Sequence, residues 1–328
     1  MREKWSSDVE ARARAHWTEK RTRGLLGNKQ LILPPVEHGP LLRAMGLLKA
    51  DASMPPESVR KYMQISHMLT LVEPSLRELA EMSPEVGVLD LACGNSYLTL
   101  AIATSFRHRL KHPARILGVD RNSRLIGKCT ERATRLGLDD ILRFETAMID
   151  RLDLDAAWER SFGDGQGPVH MLVALHACDT ATDDALALGL EMGVRSIAVV
   201  PCCQGELAKA WSLLASNRGP MNPIWKWPHM RREVGASMTD ALRALLLRGC
   251  GYDAAPIEFV PAAHTPKNTM IRAFRRNEGS PAAFADYLEL RAMLGGIRIH
   301  LERKLPPAHL SNLAKAEGQT SSPMTTRT

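Results

Sequence analysis

Apolar and polar positions follow two rhythms along this chain. From Pro55 the apolar residues Val59, Tyr62, Met63, Ile65, Met68, Leu69 and Leu71 recur every three or four positions, which predicts a helix. Beyond it, short apolar runs alternate with helical stretches, the pattern of βαβ units and a parallel sheet. The runs Val86–Ala92, Arg115–Val119, Ile141–Glu145, His170–Leu175 and Ser196–Val200 read as strands. Helices are predicted from Tyr97 to Phe106, and from Asn122 or Ser123, either a good N-cap, to just before the C-cap candidate Gly137. Another starts near Thr182, where Asp183 and Asp184 suit the positive end of a helix dipole.

Residues 204–235 break the rhythm with Gly, Pro, Trp225-Lys-Trp227 and Arg231-Arg232. A helix from Met238 to Leu247 follows. Ile257–Val260 and Thr269–Phe274 then read as two strands joined by the turn His264-Thr-Pro-Lys-Asn268. Ala282 to about Ala316 reads as helical, and Gly318–Thr328 as a disordered polar tail. The expected class is α/β, a mostly parallel sheet ending in an antiparallel hairpin. Three regions follow: a basic N-terminal extension over 1–58, a core domain over 59–276 with the 204–235 insertion, and a helical C-terminal extension with its tail over 277–328. There is no internal repeat.

Composition narrows the picture. With 45% hydrophobic and 24% charged residues in 328, a packed core is within reach and disorder as the main state is excluded. No apolar run approaches the roughly 18–20 residues of a membrane helix, so no membrane span is expected. The first twenty-five residues mix Arg and Lys with Glu3, Asp8, Glu10 and Glu19, unlike a secretory signal; the expectation is a soluble cytoplasmic protein. Six cysteines in this length do not make a disulfide scaffold. Cys93, Cys178, Cys202, Cys203 and Cys250 sit in or beside apolar runs and read as small buried hydrophobes. The net charge of +7 fits an acidic partner such as RNA.

The chemistry concentrates at strand ends. Asp90-Leu-Ala-Cys-Gly-Asn-Ser96 lies where the first strand hands over to the first helix, the position at which open α/β sheets bind ligands. Small residues at Ala92, Gly94 and Ser96 let backbone approach a ligand, and Asp120 ends the second strand, placed to accept from ribose hydroxyls. Dinucleotide binding asks for a glycine-rich loop against a pyrophosphate. Here there is one glycine, an acid just before it, and no Lys or Arg nearby in sequence. An acid repels a pyrophosphate and attracts an ammonium or sulfonium, so the charge pattern favours S-adenosylmethionine over NAD.

Val88-Leu-Asp-Leu-Ala-Cys-Gly-Asn-Ser96 resembles motif I of the class I S-adenosylmethionine-dependent methyltransferases, Asp-x-Gly-x-Gly-x-Gly, with Ala92 and Ser96 in place of two glycines. The resemblance covers roughly residues 60–275. It implies a Rossmann-like seven-stranded sheet whose last strand is antiparallel, and S-adenosyl-L-methionine as cofactor. By the same resemblance Asp90 and the Ala92–Gly94 backbone hold the methionine end, Asp120 the ribose, and Ala147-Met148-Ile149 flank the adenine. The implied cofactor-binding set is Asp90, Ala92, Cys93, Gly94, Tyr97, Asp120, Arg121, Ala147 and Met148.

The fourth strand ends in His176-Ala-Cys-Asp-Thr-Ala-Thr-Asp183 and the fifth in Pro201-Cys-Cys-Gln204. A zinc deaminase would carry His-x-Glu and Pro-Cys-x-x-Cys. Cys178 stands where that Glu would be, and adjacent strand residues such as Cys202 and Cys203 point to opposite faces; no metal is expected. Structural burial of the cysteines is a second reading. An acceptor site is the third, because these motifs resemble a smaller group of methyltransferases that includes the acceptor-stem tRNA ribose methyltransferase. His264–Asn268, Thr239-Asp-Ala-Leu-Arg243 and Arg60–His67 also look like members of that group.

For a ribose hydroxyl acceptor, His176 is the candidate general base, with Asp179 or Asp183 to orient it. The 204–235 insertion is the candidate acceptor lid, where Trp225 and Trp227 could stack bases while Arg231 and Arg232 meet phosphates. A plain packing role fits the same residues. RNA, either tRNA or rRNA, is the favoured acceptor.

Overall fold

The computed structural model describes residues 2–27, 32–163, 167–175, 177, 179–201, 204–259, 269–276 and 278–320. The chain divides into two compact units, residues 1–171 with 259–268, and residues 172–258 with 269–328.

The first unit runs α1 (Arg2–His16), α2 (Glu19–Leu26), α3 (Gly39–Ala44), α4 (Pro56–Met82), β1 (Val86–Leu91), α5 (Tyr97–Thr104), β2 (Ala114–Asp120), α6 (Ser123–Leu136), β3 (Leu142–Thr146), α7 (Leu154–Phe162) and the start of β4 (Val169–Ala174). The second carries the end of β4, α8 (Thr180–Glu191), β5 (Ser196–Val199), α9 (Glu206–Leu213), α10 (Asn222–Trp225), α11 (Pro228–Gly249), β6 (Tyr252–Glu258), β7 (Thr269–Arg275), α12 (Pro281–Met293), α13 (His300–Lys304) and α14 (Pro307–Thr320). The seven strands lie in the order β3-β2-β1-β4-β5-β7-β6. Pairing of β1 with β2 and of β2 with β3 is parallel, while β7 runs antiparallel to both β5 and β6. This is the Rossmann-like sheet with a terminal antiparallel pair that the sequence led us to expect.

Every residue of β1 and β5 is buried, which explains why both read as continuous apolar runs rather than alternating ones. Helix α6 keeps its predicted limits because both caps are real. The Asn122 side chain accepts from the Arg124 and Leu125 amides, and Gly137 closes the helix at φ +68°. Gly118, in the middle of β2, is a packing glycine: a Cβ there would lie 2.6 Å from the Phe144 ring and 3.3 Å from Cys93 Sγ.

Several elements depart from the pattern. The basic N-terminal stretch is built into the first unit through buried Trp17, whose indole donates to the Ala52 carbonyl at 2.9 Å, and through Tyr62, which donates to Leu33 O at 3.0 Å. Residues 204–235 are largely helical, since α9, α10 and the first turns of α11 occupy them; α11 starts at Pro228, a favoured N1 residue, rather than at Met238. Strand β6 begins at Tyr252, earlier than Ile257, because pairing with β7 continues to Arg275. The predicted turn at 264–268 lies outside the described residues. The C-terminal helical stretch is three helices, broken first where Gly295 and Gly296 take positive φ. Helix α14 continues through Gly318 to Thr320, where a tail was expected; residues 321–328 lie outside the described ones. Helix α7, which the pattern did not mark, is capped by Asp153 accepting from Ala156 N.

Among the described residues no helix is long and apolar enough to cross a membrane, and no group of His, Cys, Asp and Glu could hold a metal. Cys93, Cys129 and Cys250 are free and buried.

Candidate cofactor site and the network of the second unit

The loop after β1 takes its shape from three left-handed residues. Ala92, Gly94 and Ser96 have φ of +53°, +54° and +55°. These are the three glycine positions of the motif, so the backbone keeps a glycine conformation even where side chains are present, at a cost of roughly 1 kcal/mol for each non-glycine. The Cys93 amide donates to Val119 O at 2.9 Å, and the Gly94 amide to Asp120 Oδ2 at 2.9 Å. The other Asp120 oxygen accepts the Asn122 amide at 2.8 Å. Ala147 N donates to Asp120 O at 3.2 Å, which brings the residue after β3 to the same end of the sheet. A carboxylate has about four acceptor positions, so Asp120 keeps capacity for ribose hydroxyls after both amides are served.

Asp90 lies beneath the loop, only 1% exposed. One oxygen accepts from the Thr99 hydroxyl and the other, Oδ1, is buried without a partner. Burial pushes its pKa up to about 7, Thr99 opposes that rise, and the negative charge of Asp120 adds to it. An orphaned buried carboxylate oxygen is costly unless a donor or cation arrives. An amino-acid ammonium beside a sulfonium fits that need, so the residues present suit S-adenosylmethionine. Burial also raises the Cys93 thiol, which reads as a packed side chain rather than a nucleophile.

The fold corrects one reading of the loop's charge. No cation is close in sequence, yet two are close in space. Lys61 of α4 donates to the Tyr97 hydroxyl at 3.2 Å and lies over its ring, and Arg132 of α6 approaches the same ring while donating to Asn95 O at 3.0 Å. Tyr97 and Ala92 are partly buried, whereas Arg121 is exposed and Met148 is 46% exposed.

In the second unit, His176, Cys178, Cys202 and Cys203 lie outside the described residues. Asp179 precedes α8 with φ +53° and ψ −119°, an unusual conformation for a residue with a side chain. Its Oδ1 accepts the Gly205 amide at 3.0 Å, and Lys209 lies 3.8 Å from Oδ2. Asp183, expected to orient a catalytic histidine, is instead fully buried against Arg243, which reaches both its oxygens at 2.7 and 3.1 Å. Arg243 also donates to Asp240 Oδ1 at 3.1 Å and to Asp179 O at 3.0 Å, and Gln204 donates to Asp240 Oδ2 at 2.8 Å. Burial raises Asp183 above the usual carboxylate range against the pull of Arg243. The sequence paired Asp183 with its neighbour in the motif, and the long-range partner sixty positions on had no local signal.

Trp225 is buried at 8% exposure and so is not a stacking surface, while Trp227 is 57% exposed. Arg231 is turned back onto the carbonyls of Trp225 and Lys226.

Residues 60–210 match the family model described as a methyltransferase domain. The match covers a little under half of the chain and includes the loop after β1, so these residues form a methyltransferase domain. The chain is 27% identical over 192 residues to a 23S rRNA (uracil(1939)-C(5))-methyltransferase, RlmD, of Colwellia psychrerythraea, covering 58% of this chain and 38% of the relative. It is 30% identical over 147 residues to RlmD of Acidithiobacillus ferrooxidans, covering 44% and 30%. The chain thus spans 38% of the length of the first relative and 30% of the second. Among solved structures, a Podospora anserina methyltransferase bound to S-adenosylhomocysteine superposes with a TM-score of 0.42 at 12% identity, covering 79% of this chain and 95% of that one. Magnesium protoporphyrin IX methyltransferase from Synechocystis, with the same ligand, gives 0.38 at 14% identity over 72% and 93%.

Proposed function

We propose that this chain transfers the methyl group of S-adenosylmethionine to RNA. The observation that carries the reading is the buried, half-partnered Asp90 beneath a loop of three left-handed residues, with Asp120 closing the next strand. The named activity of the two relatives, methylation of a uracil in 23S rRNA, supports RNA as acceptor, as does the basic balance of the chain.

The cofactor supplies an electrophilic methyl group on a sulfonium, with a thioether as leaving group. Asp90 stabilises the positive methionine end, and the backbone of Ala92–Gly94 lines it. Asp120 accepts from the ribose, Ala147 and Met148 flank the base, and Arg121 and Tyr97 border the site. Lys61 and Arg132 beside Tyr97 provide positive charge for the carboxylate. Alignment and exclusion of water do most of the catalytic work. For a ribose hydroxyl acceptor, His176 is the candidate to take the hydroxyl proton as the O–C bond forms and the S–C bond breaks.

The test is titration of the full chain with S-adenosylhomocysteine, followed by transfer of tritiated methyl from S-adenosylmethionine to total cellular RNA with and without ribonuclease. Binding weakened at least tenfold by Asp90→Ala and by Asp120→Ala, with ribonuclease-sensitive label, is the expected outcome. Binding without label in RNA points to a small-molecule acceptor or a silent module. No binding by the unaltered protein removes the reading.

A further inference from the structure

Helix α6 carries a row of cations that begins at the cofactor loop and extends well beyond it. Counting from just before its N-cap, Arg121, Arg124, Lys128, Arg132 and Arg135 follow at steps of three and four, so they share one face. That row runs about 21 Å along the helix axis. Arg121, Arg124, Lys128 and Arg135 are exposed, and none of the five lies in an ion pair among the described residues. Arg132 is tied to Asn95 O and Arg135 lies over the Trp5 ring, so the row is fixed at the cofactor loop and at α1. Glu131 is the single acid of the helix and sits at the edge of the row.

Two features make this arrangement unfavourable for the isolated protein. The first turn of α6 holds no acid, and Arg121 and Arg124 stand at the positive end of the helix dipole, where cations cost stability. Gly127 is exposed in mid-helix with nothing near the position a Cβ would take, although glycine there costs about 1 kcal/mol against alanine. A helix that gives up stability for unpaired positive charge and a bare patch of backbone is suited to a polyanion that approaches closely.

We infer that the Arg121–Arg135 face of α6 is a docking surface for the phosphate backbone of the RNA acceptor. The inference rests on the proposed RNA activity and adds the surface that holds the substrate. An anionic bilayer would also meet positive charge, but the apolar face of α6, Ile126, Cys129 and Ala133, is buried in the unit and unable to insert. Phosphate contacts of this kind position a nucleic acid without reading its sequence.

The experiment compares the full-length protein with the double variants Arg124→Ala/Lys128→Ala and Arg124→Glu/Lys128→Glu. Binding of fluorescently labelled total cellular RNA is measured across a salt series, and S-adenosylhomocysteine binding is measured on the same samples. The alanine variant should lower the slope of log affinity against log salt by about two, one for each lost phosphate contact. The glutamate variant should weaken RNA binding further. S-adenosylhomocysteine affinity and melting temperature should hold, or the latter rise, since a dipole conflict has been removed; this separates lost contact from lost folding. If the unaltered protein binds cofactor but no RNA, the RNA reading itself fails. If it binds RNA and both variants bind equally well with the same slope, only the α6 surface is overturned. Variant-sensitive binding to phosphatidylglycerol vesicles, with RNA binding unchanged, would assign the face to a membrane instead.

Discussion

The amide of Gly94 is held by Asp120 Oδ2 at 2.9 Å, so the acid that ends β2 shapes the loop that ends β1. Asp120 therefore shapes the loop, and in the proposed site it would also serve the ribose. Asp120→Asn should leave one of the Gly94 and Asn122 amides facing a donor, at about 1–3 kcal/mol. Stability by denaturant unfolding and S-adenosylhomocysteine affinity should both fall. A loss of affinity with unchanged stability would show that the loop does not depend on this bond.

If Asp90 meets the cofactor as proposed, binding should be linked to a proton. Its folded pKa is raised to about 7 by burial, above the usual carboxylate value. The folded protein then binds more protons than the unfolded chain between about pH 4 and 7, so stability declines as pH rises through that window, by roughly 4 kcal/mol for this group. A cationic ligand lowers the pKa, so protons should be released on binding near pH 7. Calorimetry in buffers of different ionisation heat measures that release, and Asp90→Asn should abolish it.

The left-handed residues give a prediction of opposite sign. Ala92→Gly and Ser96→Gly each remove a side chain at positive φ and should stabilise the fold by about 1 kcal/mol. In a chain of this size that is a rise of roughly 2 °C in melting temperature. A fall would mean that the methyl or hydroxyl packs well enough to outweigh the backbone cost.

Arg243 is the structural keystone of the second unit, since it satisfies Asp183, Asp240 and the Asp179 carbonyl together. Arg243→Ala leaves Asp183 buried and unpaired, with an expected loss of about 3–5 kcal/mol. The loss should shrink as pH falls and Asp183 takes up a proton, which a series of unfolding curves from pH 8 to pH 5 would reveal. Arg243→Lys should rescue little, because one ammonium cannot reproduce the planar fork.

What was legible in the sequence was local. β1, β2 and α6 were marked by a continuous apolar run, a terminal acid and two cap residues, all of which act over a few positions. Asp90, Gly94 and Asp120 stood out for the same reason: their loop obeys a spacing, and the fold joins Gly94 to Asp120. Lys61 and Arg132 beside Tyr97 were missed because they lie thirty-five or more positions away and meet it only through folding. Asp183 was given a role by its neighbours in the motif when its true partner, Arg243, comes from α11. The 204–235 stretch looked irregular because Pro and Gly break it into short helices whose apolar faces are too brief to show a period.

A fragment stopped at residue 210, where the methyltransferase match ends, would keep β5 and lose β7, which pairs with it from Ser196↔Phe274 to Val199↔Ile271. Four buried residues, three of them apolar, would then offer free amides and carbonyls to any passing strand. Such a truncation should clump through strand exchange between copies rather than yield a minimal enzyme, so the shortest soluble version of this protein has to reach past Arg275.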